Sequence, residues 1–325
     1  MGYYIFKGNA TVGGYVARCL EEACWEPTDF AGQADAALTY FTSQSRLEDA
    51  YFETDGLIHG LHSGAVIIDL SPAAPTFARE LSALATVNDL LCVEAPLCVD
   101  YVFAGDPFAD ASKVSCFAAG EDDALDAAMP LIEVLAGHAD RVGGPGAAQL
   151  KKAMHTISEA ARFISSIESK ALDHAVRAAS VSLVAQTEDA HAGVWPPEDA
   201  SAAGAFTIEM MTAEVSAALM AAEDVGLVLP QIESTMRLLD VLSVLGGVDM
   251  GPVALSLLYC DEEKSTAAGL DWNRAKEAYG MSGDGFDDFD DYDDYDVEGY
   301  GEDPDGFDGG ADGFFGGVYG RFSSN

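Results

Sequence analysis

The chain has 325 residues, 49% of them hydrophobic, and its 55 acidic against 16 basic side chains give a formal net charge of −39. That apolar content excludes a wholly disordered chain, and the charge excludes a nucleic-acid partner or an anionic membrane surface, both of which require a basic face. No apolar run reaches the ~20 residues of a membrane span. No basic-then-apolar leader is expected, and the six cysteines keep no Cys-x-x-Cys spacing, so a reduced, cytoplasmic protein without structural metal is the expectation.

Residues 3–7 read as a strand that runs through a glycine-bearing turn into a helix over about 12–23. Residues 36–41 form a second apolar run, and 65–69 (A-V-I-I-D) are β-branched and bounded by Gly64 and Pro72. A helix is predicted over 75–85, and further strands over 90–94 and 114–118. Strands alternating with helices predict a mostly parallel, doubly wound sheet, so residues 1–142 are expected to form an α/β domain. From Gly146 onward the pattern is helical. Leu150, Met154, Ile157, Ala161, Ile164, Ile167 and Ala171 repeat as one apolar stripe, and 202–225 and 232–245 continue the pattern, giving an all-α domain over 143–281. Residues 282–325 differ sharply: 14 acids, one arginine, 11 glycines and 10 aromatics carry −13 and leave −26 on the rest. A segment of this composition cannot bury enough surface to offset its ordering entropy, and a disordered acidic tail is expected.

Between the first strand and helix stands Gly8-Asn9-Ala10-Thr11-Val12-Gly13. A dinucleotide fingerprint needs its first glycine for a tight turn, a small second residue for close pyrophosphate approach, and a last glycine for helix packing. The phosphate then rests on the helix N-terminus, where free N–H groups point outward. Ala10 replaces the middle glycine. Further along, Lys152, His155 and Thr156 stand at i, i+3 and i+4, on one face of a helix near its start. His59 and His62 are also a helical pair, but no third ligand accompanies them, so no metal site is expected. Ser71 closes a strand and is expected to shape a turn.

These blocks resemble, in order and spacing over about residues 3–257, the β-hydroxyacid dehydrogenases, relatives of 3-hydroxyisobutyrate and 6-phosphogluconate dehydrogenases. The resemblance is carried by I-F-K-G-N-A-T-V-G-G-Y-V-A-R-C-L ending at Leu20, by Ala34-Asp35-Ala36-Ala37-Leu38, and by G-A-V-I-I-D-L-S-P-A-A-P from Gly64. Glu94-Ala95-Pro96 and G-G-P-G-A-A-Q-L-K-K-A-M-H from Gly143 complete it. It implies a Rossmann-like domain and a helical domain with the substrate at their junction, NAD or NADP as cofactor, and a homodimer built through the helical domain. The implied chemistry is hydride transfer between nicotinamide and a small β-hydroxyacid. Lys152 would be the general acid/base, with His155 as a relay. Cys98 and Thr156 would face the substrate, and Gly8, Asn9, Ala10, Thr11, Val12, Gly13 and Ser71 the cofactor.

The chain departs from the family pattern at several points. Cys98-Val99-Asp100 stands where the family's Ser-Gly-Gly cradles the substrate carboxylate, Thr156 where an asparagine is expected, and Ala213-Glu214 where a Lys-Asp pair is expected. The stretch before Ala34 is too short for the family's second strand and the acid that would hold the adenosine ribose. Asp29 and Asp35 are the nearest acids, Arg18 and Arg46 the nearest bases, and NAD and NADP stay undistinguished. Two readings follow: a dehydrogenase using Lys152, or a degenerate relative that is a non-catalytic dinucleotide-binding or scaffold dimer.

Overall fold

In the computed structural model, which describes residues 2–101, 105–179 and 195–279, the expected tail lies outside the described residues. Strand β1 (Tyr3–Gly8) leads into helix α1 (Ala10–Glu22). The helix starts earlier than its apolar pattern because Asn9 caps it: the carboxamide oxygen accepts from Thr11 and Val12 N–H at 2.9 and 3.2 Å. The chain then turns at Cys24, at φ +63°, into a short strand β2 (Glu26–Pro27) that pairs parallel with Tyr3 and Tyr4. The expected loss of a second strand is therefore corrected: a two-residue remnant survives, directly followed by Thr28 and the exposed Asp29.

Strand β3 (Ala36–Tyr40) joins β1 on its other side, and α2 (Gln44–Phe52), α3 (Leu57–Gly60), β4 (Val66–Asp69), α4 (Pro75–Val87), β5 (Leu91–Glu94) and β6 (Leu97–Cys98) follow. Next come β7 (Ser115–Gly120), α5 (Asp122–Leu135) and β8 (His138–Gly143). They form one eight-stranded sheet. β2, β1, β3, β4 and β5 run parallel in that spatial order, β7 runs antiparallel to β5 and β6, and β8 adds parallel to β7. Alternation along the strands sends Leu38, Ile68 and Val93 to the face covered by α1 and α5. Ala37, Ile67 and Cys92 go to the face covered by α2, α3 and α4. Each Leu or Ile buried this way contributes roughly 1.5–3 kcal/mol.

The helical part begins with α6 (Ala147–Ala179), a 33-residue helix, and continues through α7 (Ile208–Glu223) and α8 (Pro230–Val244), which pack on it and on each other. A 3₁₀ segment (Pro252–Tyr259) and short helices α9 (Glu262–Ala267) and α10 (Trp272–Ala278) close the described chain. Helix α7 starts later than its composition suggests, because Ala203 forms a β-bridge with Met250 and the Thr207 hydroxyl caps Met210 N–H. The predicted stripe on α6 is corrected over its first two turns. Leu150 and Met154 are 52% and 55% exposed, while Gln149, Lys152, Ala153 and Thr156 are buried. No helix among the described residues is long and apolar enough to cross a membrane.

Candidate functional site

The chain passes from β1 to β2 on one flank and to β3 on the other, so the switch in strand order lies at the C-terminal ends of β1 and β3, where doubly wound sheets bind ligands. Gly8 stands there at φ +136°, and a Cβ on it would lie 1.9 Å from the Tyr40 carbonyl oxygen. Only glycine lets the strand end approach its neighbour so closely. Gly13, the last residue of the fingerprint, serves packing: a Cβ would meet the Phe6 ring at 2.9 Å. Gly8, Ala10 and Thr11 are exposed, Asn9 half-buried, and Val12 a core residue. At this corner the Thr11 and Val12 N–H groups are held by the Asn9 side chain and the Asn9 N–H by the Tyr40 carbonyl. A crevice of about 260 Å³ lies beside it, lined by Lys7, Phe41, Arg46, Asp49, Ala50, Glu53, Asp55 and Gly56.

Ser71 is fully buried at the end of β4, where its Oγ accepts Phe41 N–H at 3.0 Å and its own N–H bonds Asp69 Oδ1. It joins the ends of β3 and β4. Gln149, in the first turn of α6, clamps the same loop by donating to the Ser71 carbonyl and accepting Ala73 N–H, at 2.9 and 3.0 Å. Glu94, at the end of β5, takes the N–H groups of Gly146 and Ala148 on Oε1 at 2.6 and 3.0 Å, so a carboxylate from the sheet caps α6. Gly146, at φ +92°, passes so close to Arg79 and the Pro75 carbonyl that a side chain would not fit. The start of α6 is bound to two strand ends, and this fixes what stands one turn further on.

That residue is Lys152, 2% exposed, whose Nζ lies 2.6 Å from Glu214 Oε1 on α7. The other Glu214 oxygen accepts from the Tyr101 hydroxyl and, at 3.4 Å, from Thr156 Oγ1. Tyr101 stacks on Phe206 with ring centroids 5.5 Å apart, and Phe163 meets it edge-on. The result is a buried ion pair walled by aromatic rings, at the seam between sheet and helices. Removing either partner of such a pair leaves an uncompensated charge in an apolar setting, at a cost of about 3–5 kcal/mol. Cys98 lies beside the pair: burial pushes its thiol up to about 11 although the Lys152 charge opposes this, so the sulfur is a neutral S–H.

The sequence places Lys152, His155 and Thr156 on one face, and the structure divides them. Thr156 joins Lys152 at Glu214, whereas the His155 ring meets Phe117 edge-on. His155 lines a separate cavity of about 220 Å³ with Cys98, Val99, Asp100, Lys113, Ser115, Glu159 and Arg162. Burial and the Lys152 charge hold its imidazole below the ordinary value. Asp100 lies 3.1 Å from Arg162, Val99 is packed in the core, and the Cys98 thiol donates to the Pro96 carbonyl at 3.8 Å. Glu214 stood out in the sequence only as a departure from a Lys-Asp pair, and its pairing with Lys152 is what sequence reasoning missed. Its signal was available, since a carboxylate at 214 shares the apolar face of Met211, Val215 and Ala218.

Residues 10–144 match the family profile described as the NAD binding domain of 6-phosphogluconate dehydrogenase. An uncharacterized oxidoreductase of Bacillus subtilis is 28% identical over 46% of this chain and 51% of its own length. An NAD-dependent L-serine dehydrogenase of Pseudomonas aeruginosa is 28% identical over 50% of this chain and 53% of its own length. The chain therefore spans about half the length of the curated relatives it matches. Among solved structures, 3-hydroxyisobutyrate dehydrogenase of Salmonella typhimurium aligns over 79% of this chain and 99% of its own, with a TM-score of 0.61 at 17% identity. The Mycobacterium tuberculosis 3-hydroxyisobutyrate dehydrogenase gives 0.59 at 19%, over 79% of this chain and 98% of its own. These alignments establish the common fold.

Proposed function

We propose that this chain, a divergent member of the β-hydroxyacid dehydrogenase family, is an NAD(P)-dependent oxidoreductase acting on a small hydroxyacid-like substrate, with Lys152 as general acid/base. The observation that carries this reading is the buried Lys152–Glu214 pair, held at the sheet–helix seam by Gln149 and Glu94. The cofactor's pyrophosphate would rest at the β1–α1 corner of Gly8, Asn9, Ala10 and Thr11, with the Asn9 side chain releasing the Thr11 and Val12 N–H groups to it. When bound, the nicotinamide would supply or take up the hydride. The protein's part is the proton: Lys152 gives one to the alkoxide oxygen in reduction and accepts the hydroxyl proton in oxidation. Glu214 keeps the lysine aimed, and Tyr101 and Thr156 keep Glu214 aimed.

β8 ending at Gly143 and α6 beginning at Ala147 support a boundary after residue 142, with the helical part completing the substrate site. Leu150, Met154, Leu172 and Val176 are exposed on α6, and at 100° per residue they fall within about 80° of one another. This stripe supports a homodimer with α6 at its interface. The six free cysteines suit a reducing compartment such as the cytoplasm.

The test is oxidation of a panel of small hydroxyacids and their neutral derivatives with NAD⁺ or NADP⁺, followed by absorbance of the reduced nicotinamide. Lys152→Ala should lower turnover by ~10² to 10⁴ and leave dinucleotide binding in place. Dinucleotide binding without turnover of any member would point to the non-catalytic relative instead.

A further inference from the structure

A row of polar side chains crosses the sheet at the C-terminal ends of three strands. Thr39, Asp69 and Glu94 are register partners on β3, β4 and β5, and all three are buried, on the face that also carries Ala37, Ile67 and Cys92. Register partners on adjacent strands hold their side chains together, with the backbones about 4.8 Å apart. Donors feed this row from both ends. The Tyr51 hydroxyl donates to Thr39 Oγ1 at 2.6 Å, and Thr39 in turn donates to Asp69 Oδ1 at 2.9 Å. The same Asp69 oxygen accepts Ser71 N–H at 3.0 Å. At the other end Glu94 Oε1 is filled by Gly146 and Ala148 N–H. The second oxygens, Asp69 Oδ2 and Glu94 Oε2, are buried and meet no donor among the described residues. Around the pair stand the Cys92 thiol, held neutral by burial and by both carboxyls, and Gln149 of α6, engaged with the 71–73 loop. On β7 the register partner of Glu94 is the apolar Ala119, and on α4 the exposed Arg79 lies against Gly146.

Two ionised carboxylates would set like charges side by side in the interior, with a bare oxygen on each. One proton removes both faults, because on one carboxyl it becomes the donor that the other lacks. We propose that Asp69 and Glu94 share a single proton, as a carboxylic acid hydrogen-bonded to a carboxylate, and that this proton latches β4 to β5 where Glu94 holds the start of α6. The row is then a continuous chain of hydrogen bonds from Tyr51 on α2 to the Gly146 turn. Burial pushes both carboxyls up, and Asp69 adds to the rise at Glu94, so the pair keeps its proton toward neutrality and titrates as a unit. When the proton leaves, repulsion falls on the Ser71 loop and the Gly146 turn, where sheet and α6 are fastened. The proposal is independent of the oxidoreductase reading.

The experiment follows the infrared carbonyl band of protonated carboxyls in the folded full-length protein, from mildly acid to mildly alkaline pH. Wild type, Asp69→Asn, Glu94→Gln and the double variant are compared, so that difference spectra separate these two groups from the surface acids. The expected result at pH 6 is one protonated carboxyl in wild type that the double variant lacks. In either single variant the remaining carboxyl should titrate about one pH unit or more below the wild-type midpoint, because the new amide donates to its bare oxygen and no like charge remains. The two single variants test the same proton from opposite sides, so one that folds, checked by circular dichroism, suffices. Hydrogen-exchange protection of the Gly146 and Ala148 amides should fall through the wild-type midpoint and persist in the double variant. Absence of the protonated carboxyl at pH 6, a single-variant midpoint equal to that of wild type, or amide protection that ignores the titration would overturn the proposal.

Discussion

Glu94 makes the stability of this protein fall as pH rises toward neutrality. Its carboxyl is buried at the end of β5, with Oε1 taking two N–H groups of α6 and Oε2 buried without a partner. Burial raises its pKa from 4.5 to about 7, opposed by the α6 N–H groups and reinforced by Asp69, its register partner on β4. Below pH 4.5 both folded and unfolded chains hold the proton. Between 4.5 and about 7 the unfolded chain has released it and the folded chain has not, so folding becomes less favourable, and the loss is complete above 7. For a group only 5% exposed, that interval corresponds to on the order of 3 kcal/mol. Glu94→Gln keeps an acceptor for Gly146 and Ala148 and cannot ionise. It should match the wild type near pH 4.5 and exceed it at pH 8 by up to ~3 kcal/mol, or roughly 4–6 °C in melting temperature for a protein of this size. Repulsion among the other acids adds its own pH slope to both proteins, so the difference between them is the quantity to measure, by urea unfolding at a series of pH values. A glutamine variant no more stable than wild type at pH 8 would refute the reasoning.

Two further outcomes follow from the same interior. Glu214→Leu strands the Lys152 ammonium and should cost about 3–5 kcal/mol in urea unfolding, whereas Lys152→Met with Glu214→Leu should recover most of that loss, because an apolar pair replaces an ion pair. In thiol labelling of the folded protein at pH 8, Cys24, which is exposed, should react first; Cys98, neutral and buried, should react only on unfolding.

Much of the α/β half was legible because its strands are apolar runs closed by glycine and proline, and because the β1–Gly8–α1 corner needs a residue without a side chain. What escaped was polar. The phase of α6 is set by Gln149, Lys152 and Thr156, which are buried because they bond loop carbonyls and Glu214, while Leu150 and Met154 face outward. A reading led by hydrophobicity places the stripe on the wrong side wherever a helix buries its chemistry. Strand β8 escaped for the opposite reason: at the edge of the sheet its H-A-D-R-V-G sequence fully buries no residue and shows no apolar alternation. The family resemblance placed Lys152, but the interaction that holds it could not be read from it, because Glu214 meets Lys152 across 62 residues of chain.

The brevity of β2 leaves a seam in the sheet's outer margin. Only Tyr3 and Tyr4 of β1 are matched on that side, and the rest of the strand meets no neighbour there among the described residues. Open margins of this kind recruit strands from other chains and seed aggregates. Here Pro27 brings no N–H to continue a ladder, and Glu21, Glu22, Glu26 and Asp29 are all exposed nearby. On a chain of net charge −39, that margin is guarded by electrostatic repulsion between molecules. Such a guard depends on ionic strength: at molar salt the screening length shrinks to ~3 Å, and colloidal stability then falls to the proline and the shortness of the gap.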